Sequence, residues 1–468
     1  MFEQVKLVQI AIENCEAKPS IGISTKFILA LFILVANAVL IVLIHPLSIF
    51  SYLYFFLLSL LSYEILVGEK KLEPIYLYSF YSFLIVAMYL LQYWGFPEYF
   101  GFSGGLGIGT DDALFYSQVA TSLPSNFPVR VDWVYPYAQL LRIVTWWYPV
   151  KHPLDILFFN AIPLVLIPPL TQRVAVLLSG QEVVGKTAYK LIVFCPFLLS
   201  NGLILIRDGW IAMAFIGAIL FFVKGKYAMM TLLVALTFYL RIASALVLFS
   251  VLMAFAMLKL VHKRGVNKLI YFVGVLVGIG VAAFLLYPSV DRYLEVKGIY
   301  NNIVFRKNYL SFMQLSVQAS SSVDSISLWI YQQSSWIRVP FGFVYYFMSP
   351  FFMPGFIRKG IFIPRALLSS VFAVLFVFYL KYFIQAIFKT WSNRSINWSV
   401  VILTYLTSTL ALSQISIQLR HKVMLLPLFY ITVAYGYHNC TKRGRIAGAT
   451  AAFVSATVQI GRSLLRVF

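Results

Sequence analysis

Acidic side chains are scarce in this 468-residue chain, sixteen against thirty-seven lysines and arginines, so two adjacent ones are the natural starting point for chemistry. Asp111 and Asp112 lie in SGGLGIGTDDALFYSQ, directly after a glycine-rich stretch. The glycines permit close backbone approach. A carboxylate so placed can act as general base on a hydroxyl where its pKa and geometry suit. A structural reading competes with this one: Thr110 or Asp111 caps a helix beginning at Ala113, which stabilises by about 1 kcal/mol. A cap accounts for one carboxylate and leaves the other to be explained. The GxGxxG-like spacing is no phosphate loop, because no strand precedes it and no Lys-Ser/Thr pair follows.

The cationic candidates fall at helix ends. Arg207 and Asp208, in SNGLILIRDGW, read either as a tight Asp-Gly turn with a local ion pair or as a guanidinium fork for a phosphate with Asp208 supporting it. Arg241, in FYLRIASA, reads as a side chain snorkelling to the interface or as a second phosphate ligand. The triplet Arg420, His421 and Lys422 places three cationic or titratable groups in one turn. It fits an anionic headgroup, with His421 as donor or base, unless that turn faces the cytoplasm. Arg358, just after an apolar proline-rich stretch, adds charge on the same side.

These residues are positioned by a chain with little polar surface. Apolar and aromatic residues make up 61% and charged ones 11%, and mean hydropathy is +0.85. A water-soluble globule cannot be coated from that composition, so lipid is the expected solvent. Segments such as KFILALFILVANAVLIVLI are apolar on every face, which predicts helices and excludes the alternating pattern of a transmembrane barrel. The fold class expected is an all-α polytopic membrane protein with about twelve transmembrane helices, in the range eleven to fourteen. The runs are 26–44, 47–66, 75–97, 154–178, 189–206, 209–223, 227–240, 243–261, 269–287, 366–388, 399–418 and 422–439. Residues 340–356 carry internal proline and are expected to form a re-entrant element.

Short basic loops prefer the cytoplasm. Lys70 with Lys71, Lys186 with Lys190, Lys224 with Lys226, and the cluster from His262 to Lys268 all agree if residues 1–25 are cytoplasmic. A transmembrane domain then occupies 26–440, with external loops at about 98–153 and 288–365, and 441–468 forms a basic cytoplasmic or interfacial tail. The first span is expected to be its own insertion signal. The net charge of +21 is explained by lipid headgroups and topology, so no nucleic-acid partner is implied. Cys15, Cys195 and Cys440 are too dispersed for a disulfide framework and read as packing residues.

A carboxylate pair and several arginines thus gather on one external face of a many-helix membrane protein. In this layout the chain resembles bacterial polysaccharide repeat-unit polymerases, the Wzy/EpsG-like proteins, and more widely the GT-C membrane glycosyltransferases. The resemblance rests on the acidic residue in the first large external loop (GTDDALFY), the Arg-Asp after a Pro-Phe-containing span (CPFLLSNGLILIRDGW) and the arginine in a late turn before a proline-containing helix (LRHKVMLLP). It implies glycan transfer from a polyprenyl-phosphate or polyprenyl-pyrophosphate donor to an acceptor hydroxyl outside the cytoplasm, with membrane lipids and polysaccharide-assembly proteins as partners. Asp111, Asp112 or His421 would then serve as base, and Arg207, Arg241, Arg358, Arg420 and Lys422 would hold the phosphate. No cofactor is needed, although carboxylate oxygens also suit magnesium or manganese. The alternative function is a flippase or transporter of lipid-linked oligosaccharide that makes no bond, and a third is a non-catalytic assembly subunit.

Overall fold

The computed structural model describes residues 25–68, 72–91, 136–145, 147, 152, 154–203, 206–264, 330, 333, 335–348, 357–358, 361–362, 364–392, 396–415 and 419–441, and parts of 446–458. These are helices throughout, except for a two-residue antiparallel ladder in which Ile357 pairs with Phe362 and Arg358 with Ile361. The helices are α1 (Thr25–Ile44), α2 (Ser48–Leu66), α3 (Glu73–Tyr89), α4 (Pro136–Thr145), α5 (Leu154–Leu157), α6 (Ala161–Ser179), α7 (Glu182–Val193), α8 (Pro196–Gly202), α9 (Asp208–Val223), α10 (Tyr227–Leu240), α11 (Ile242–Arg264), α12 (Ser335–Met348), α13 (Pro364–Ser392), α14 (Ile396–Ile415) and α15 (Leu426–His438). A 3-10 turn, Phe158–Asn160, fuses α5 to α6, and a 3-10 segment, Leu419–Leu425, leads into α15.

Four of these helices are long and apolar enough to cross a membrane: Phe27–Ile44, Ser48–Leu66, Leu154–Ser179 and Leu367–Ser392. Joining the bent pair Glu182–Val193 and Pro196–Gly202 makes five. Run length alone gave about twelve. The difference lies in apolar helices of 10–17 residues, such as Asp208–Val223 and Tyr227–Leu240, and in the run 269–287, which is outside the described residues. A 16-residue helix is about 24 Å long at 1.5 Å per residue, short of the roughly 30 Å of hydrocarbon.

Two expected elements differ in detail. The run 189–206 is not one straight helix: the chain bends by 50° between Val193 and Pro196. Proline has no N–H and disfavours a helical residue before it, so Cys195 is extended at φ −69°, ψ 108°, and its sulfur accepts the Leu198 N–H to start α8. Of the stretch expected to be re-entrant, 340–348 belongs to α12, which runs through Pro340 and packs against α14. Residues 349–356 lie outside the described residues.

The bundle has a centre and a lipid-like exterior. The segment Leu154–Ser179 is 94% buried, whereas Phe27–Ile44 is 17% buried and presents Phe32 and Leu43 outward. Exposed apolar area on that scale suits a hydrocarbon solvent. The central segment packs against α2, α3, α7, α9 and α15. Within the apolar interior, the fully buried Asn37 of α1 donates its amide N–H to Ser82 Oγ of α3 at 3.1 Å, an interhelical bond.

Short connections make the helices alternate in direction, and polar contacts collect at two ends of the bundle. At one end Arg173 reaches the Val67 carbonyl, Tyr63 donates to Glu73 at 2.7 Å, and Thr187 meets His438 at 2.7 Å. Glycines close helices at that end. Gly225, at φ 74°, lets the Lys226 N–H reach the Phe221 carbonyl and the Gly225 N–H reach that of Phe222, a Schellman termination that an L side chain would strain. The opposite end carries the residues of chemical interest.

Candidate functional site

At that opposite end α9 begins where α10 ends. Arg207 occupies the residue before α9, Asp208 its first turn, and Arg241 the break between α10 and α11, where the backbone is extended at φ −163°, ψ 108°. The extended residue turns the Arg241 side chain back across the bundle, and its Nη1 meets Asp208 Oδ1 at 2.7 Å. The two side chains are 10% and 2% exposed. Arg207 crosses the other way, its Nη1 donating to the Leu240 carbonyl at 2.9 Å. That carbonyl is at the end of α10, where a cation also meets the negative end of the helix dipole.

The site is braced from the central segment. Asn160 donates to the Ile206 carbonyl at 3.2 Å and accepts the Tyr137 hydroxyl at 2.6 Å, so α4 and the residue before Arg207 are held by one amide. Trp210, in the first turn of α9, stacks on Phe159 at 4.4 Å. Tyr239 of α10 donates to Gln139 of α4 at 2.8 Å.

The sequence offered a local Arg207–Asp208 pair or snorkelling for Arg241, and the geometry is neither. Asp208 pairs across 33 residues with Arg241, which is buried rather than extended to an interface. Within this trio one carboxylate therefore offsets one of two guanidinium charges and leaves the three residues net positive. Three donors here, Arg207 Nε, the Trp210 indole N–H and the Ser244 hydroxyl, are buried without an acceptor among the described residues. Each such group costs on the order of 1–3 kcal/mol, which acceptor oxygens would relieve.

Lys422 is placed differently from expectation. It is 1% exposed, and its ammonium donates to the carbonyls of Phe347 at 2.6 Å and Tyr346 at 3.4 Å while lying 4.9 Å from the centre of the Phe376 ring. It therefore caps the C-terminal turn of α12, where a cation suits the exposed carbonyls. Its 3-10 segment also packs on α9, so it belongs to the same end of the bundle as Arg207 and Asp208. Arg420 and the half-buried His421 share that segment, and Arg358 lies in the short ladder opposite Ile361. Asp111 and Asp112 lie outside the described residues. Among the described residues no group of three or more His, Cys, Asp or Glu side chains is arranged to hold a metal ion.

A second polar group at this end was not singled out from sequence. It joins His45 and Ser48, flanking the α1–α2 turn, to Tyr89 at the end of α3 and to His152 and Asp155 at the start of the central segment. The signal available was sparse: two of five histidines at helix boundaries, and a carboxylate one residue inside an apolar run.

No protein family model matches this chain, and neither does any curated protein or solved structure. The class is defined by the helices themselves: a helical protein with several segments long and apolar enough to span a membrane.

Proposed function

We propose that the chain is a membrane glycosyltransferase of the polysaccharide-polymerase kind, acting at the external face of a bacterial inner membrane on a glycan linked to polyprenyl phosphate or pyrophosphate. The observation that carries this reading is the buried, net-positive convergence of Arg207, Asp208 and Arg241 at one end of an apolar bundle, with unsatisfied donors beside it. Donors outnumber acceptors there, so the complementary ligand is rich in acceptor oxygens, as a phosphoryl group or a sugar is. Asp208 and Arg241 are largely shielded from water, which strengthens each charge–dipole interaction relative to solution.

In the proposed reaction an acceptor hydroxyl oxygen attacks the anomeric carbon, the bond from that carbon to the phosphate oxygen breaks, and the phosphate leaves with the electron pair. Asp111, Asp112 or His421 takes the hydroxyl proton. Arg207 stabilises charge building on the leaving phosphate, with Arg420 and Arg358 as further ligands. Arg241 is already paired with Asp208, so its part is to fix the α9 and α10 ends against each other. Lys422 positions α12 through its carbonyls. In a flippase, charge is expected near the middle of the helices, where a substrate crosses. Here Arg207, Asp208 and Arg241 lie at helix ends, which favours transfer over transport.

The test is glycan chain length on a gel from cells carrying the unaltered gene, Asp111→Asn, Asp112→Asn, Arg207→Gln or Arg420→Ala, with membrane levels matched by immunoblot. Loss of long chains with one-unit glycan retained is the expected outcome. Identical ladders from all five strains would remove the site and move the flippase reading ahead.

A further inference from the structure

The group around His152 makes a second device, independent of the glycan reading. The rings of His45 and His152 stack with centroids 4.8 Å apart and planes 5° from parallel. Asp155, 3% exposed, receives the Ser48 hydroxyl at 2.6 Å and the backbone N–H of His152 at 2.8 Å. Ser48 has given its one proton to Asp155, so its oxygen accepts from Nδ1 of His45, 3.1 Å away. Three segments meet here: the α1–α2 turn, the end of α3, and the start of the central segment.

The protonation of His152 is fixed by its neighbours. The Leu154 N–H points at Nδ1 at 3.3 Å, so that nitrogen is an acceptor and the ring proton sits on Nε2, 3.1 Å from the Tyr89 hydroxyl. A second proton can enter only at Nδ1, where it would face another donor. It would also place the new charge against the stacked His45 ring, which disfavours it. Of the described groups facing His152, Asp155 favours the cation, and it already accepts two hydrogen bonds. Tyr89 and Ser48 are neutral.

We infer that the His45–His152 stack is an acid-sensitive clasp, which holds the α1–α2 turn and the end of α3 onto the start of the central segment at neutral pH and releases them in acid. Burial first, and then the facing His45 imidazole, lower the pKa of His152 from 6.5 to about 4, against the opposing pull of Asp155. The direction follows from linkage. The released ring binds a proton near pH 6.5 and the clasped ring only near 4, so the clasp is fully favoured above 6.5 and weakens as pH falls from 6.5 toward 4. Between pH 7.5 and 5.5 the equilibrium for release rises by up to about tenfold, and by less insofar as water screens the half-buried ring.

The experiment is hydrogen exchange by mass spectrometry on the full chain in phosphatidylcholine nanodiscs at pH 7.5 and 5.5, with rates corrected for intrinsic exchange. Peptides covering 42–52 and 152–160 should lose protection in acid while those of α9 do not. His152→Phe should remove the acid dependence, and Asp155→Asn should keep it. His45→Phe, which retains a stacked ring and both His152 hydrogen bonds, should show a smaller acid response. Equal protection at both pH values, or an acid response unchanged in His152→Phe, overturns the clasp. If His152→Phe does not insert, histidine 13C resonances of the unaltered protein decide. One ring remaining neutral below pH 5 supports the clasp, and five rings titrating together near 6.5 overturn it.

Discussion

The pairing of Asp208 with Arg241 sets a quantitative expectation. Both side chains are almost wholly buried, so the value of up to about 1 kcal/mol typical of an exposed ion pair does not apply. Arg241→Met leaves a carboxylate in an apolar site at the start of α9, and Asp208→Asn leaves a guanidinium at the α10–α11 break. Breaking a buried pair from one side costs about 3–5 kcal/mol, because the remaining charge has lost its counterpart. The double variant has no orphaned charge and should be less destabilised than the sum of the singles by at least about 2 kcal/mol. The assay is a double-mutant cycle from equilibrium unfolding in mixed detergent micelles, with the same four proteins followed by thermal melting. Additivity within about 0.5 kcal/mol would refute the reasoning, since it would mean that the 2.7 Å contact carries no coupling.

Two further outcomes follow from packing. A Cβ on Gly436 would collide with the Tyr382 carbonyl, so Gly436→Ala must push α15 off α13 and is expected to cost more than about 2 kcal/mol, read as a lowered melting temperature. Lys422→Met keeps the stem but leaves the Phe347 and Tyr346 carbonyls without their donor, so a loss of about 1–3 kcal/mol is expected in the same melts. Full thermal stability with lost glycan elongation would return Lys422 to the role of phosphate ligand.

Element type was legible in the sequence and tertiary pairing was not. The runs 26–44, 47–66 and 154–178 match α1, α2 and the central segment almost to the residue, because an apolar run of that length has one economical conformation in lipid. Composition does not reveal which run lies inside. The sequences of α1 and of Leu154–Ser179 are both almost wholly apolar, yet one faces outward and the other is enclosed. Pro196 was visible, but an apolar window counts it as one residue among many and misses the 50° bend it imposes. Arg207, Asp208, Arg241 and Lys422 were recognised one by one as helix-end charges. That Asp208 selects Arg241 rather than its neighbour depends on the meeting of two helix ends 33 residues apart. The clasp escaped for the same reason, since Ser48 and Asp155 are 107 residues apart.

The enclosure of the central segment also bears on how the protein is made. Leu154–Ser179 leaves the ribosome before α9 and α15, and about 250 residues separate its end from the start of α15. At roughly 5–20 residues per second, that interval is on the order of ten to fifty seconds. Throughout it, a helix with Asn160 and Thr171 destined for full burial waits with one flank uncovered. Biogenesis therefore needs a temporary companion for that flank, whether lipid, an insertase or a chaperone. The newborn chain stays exposed to quality control until α15 arrives.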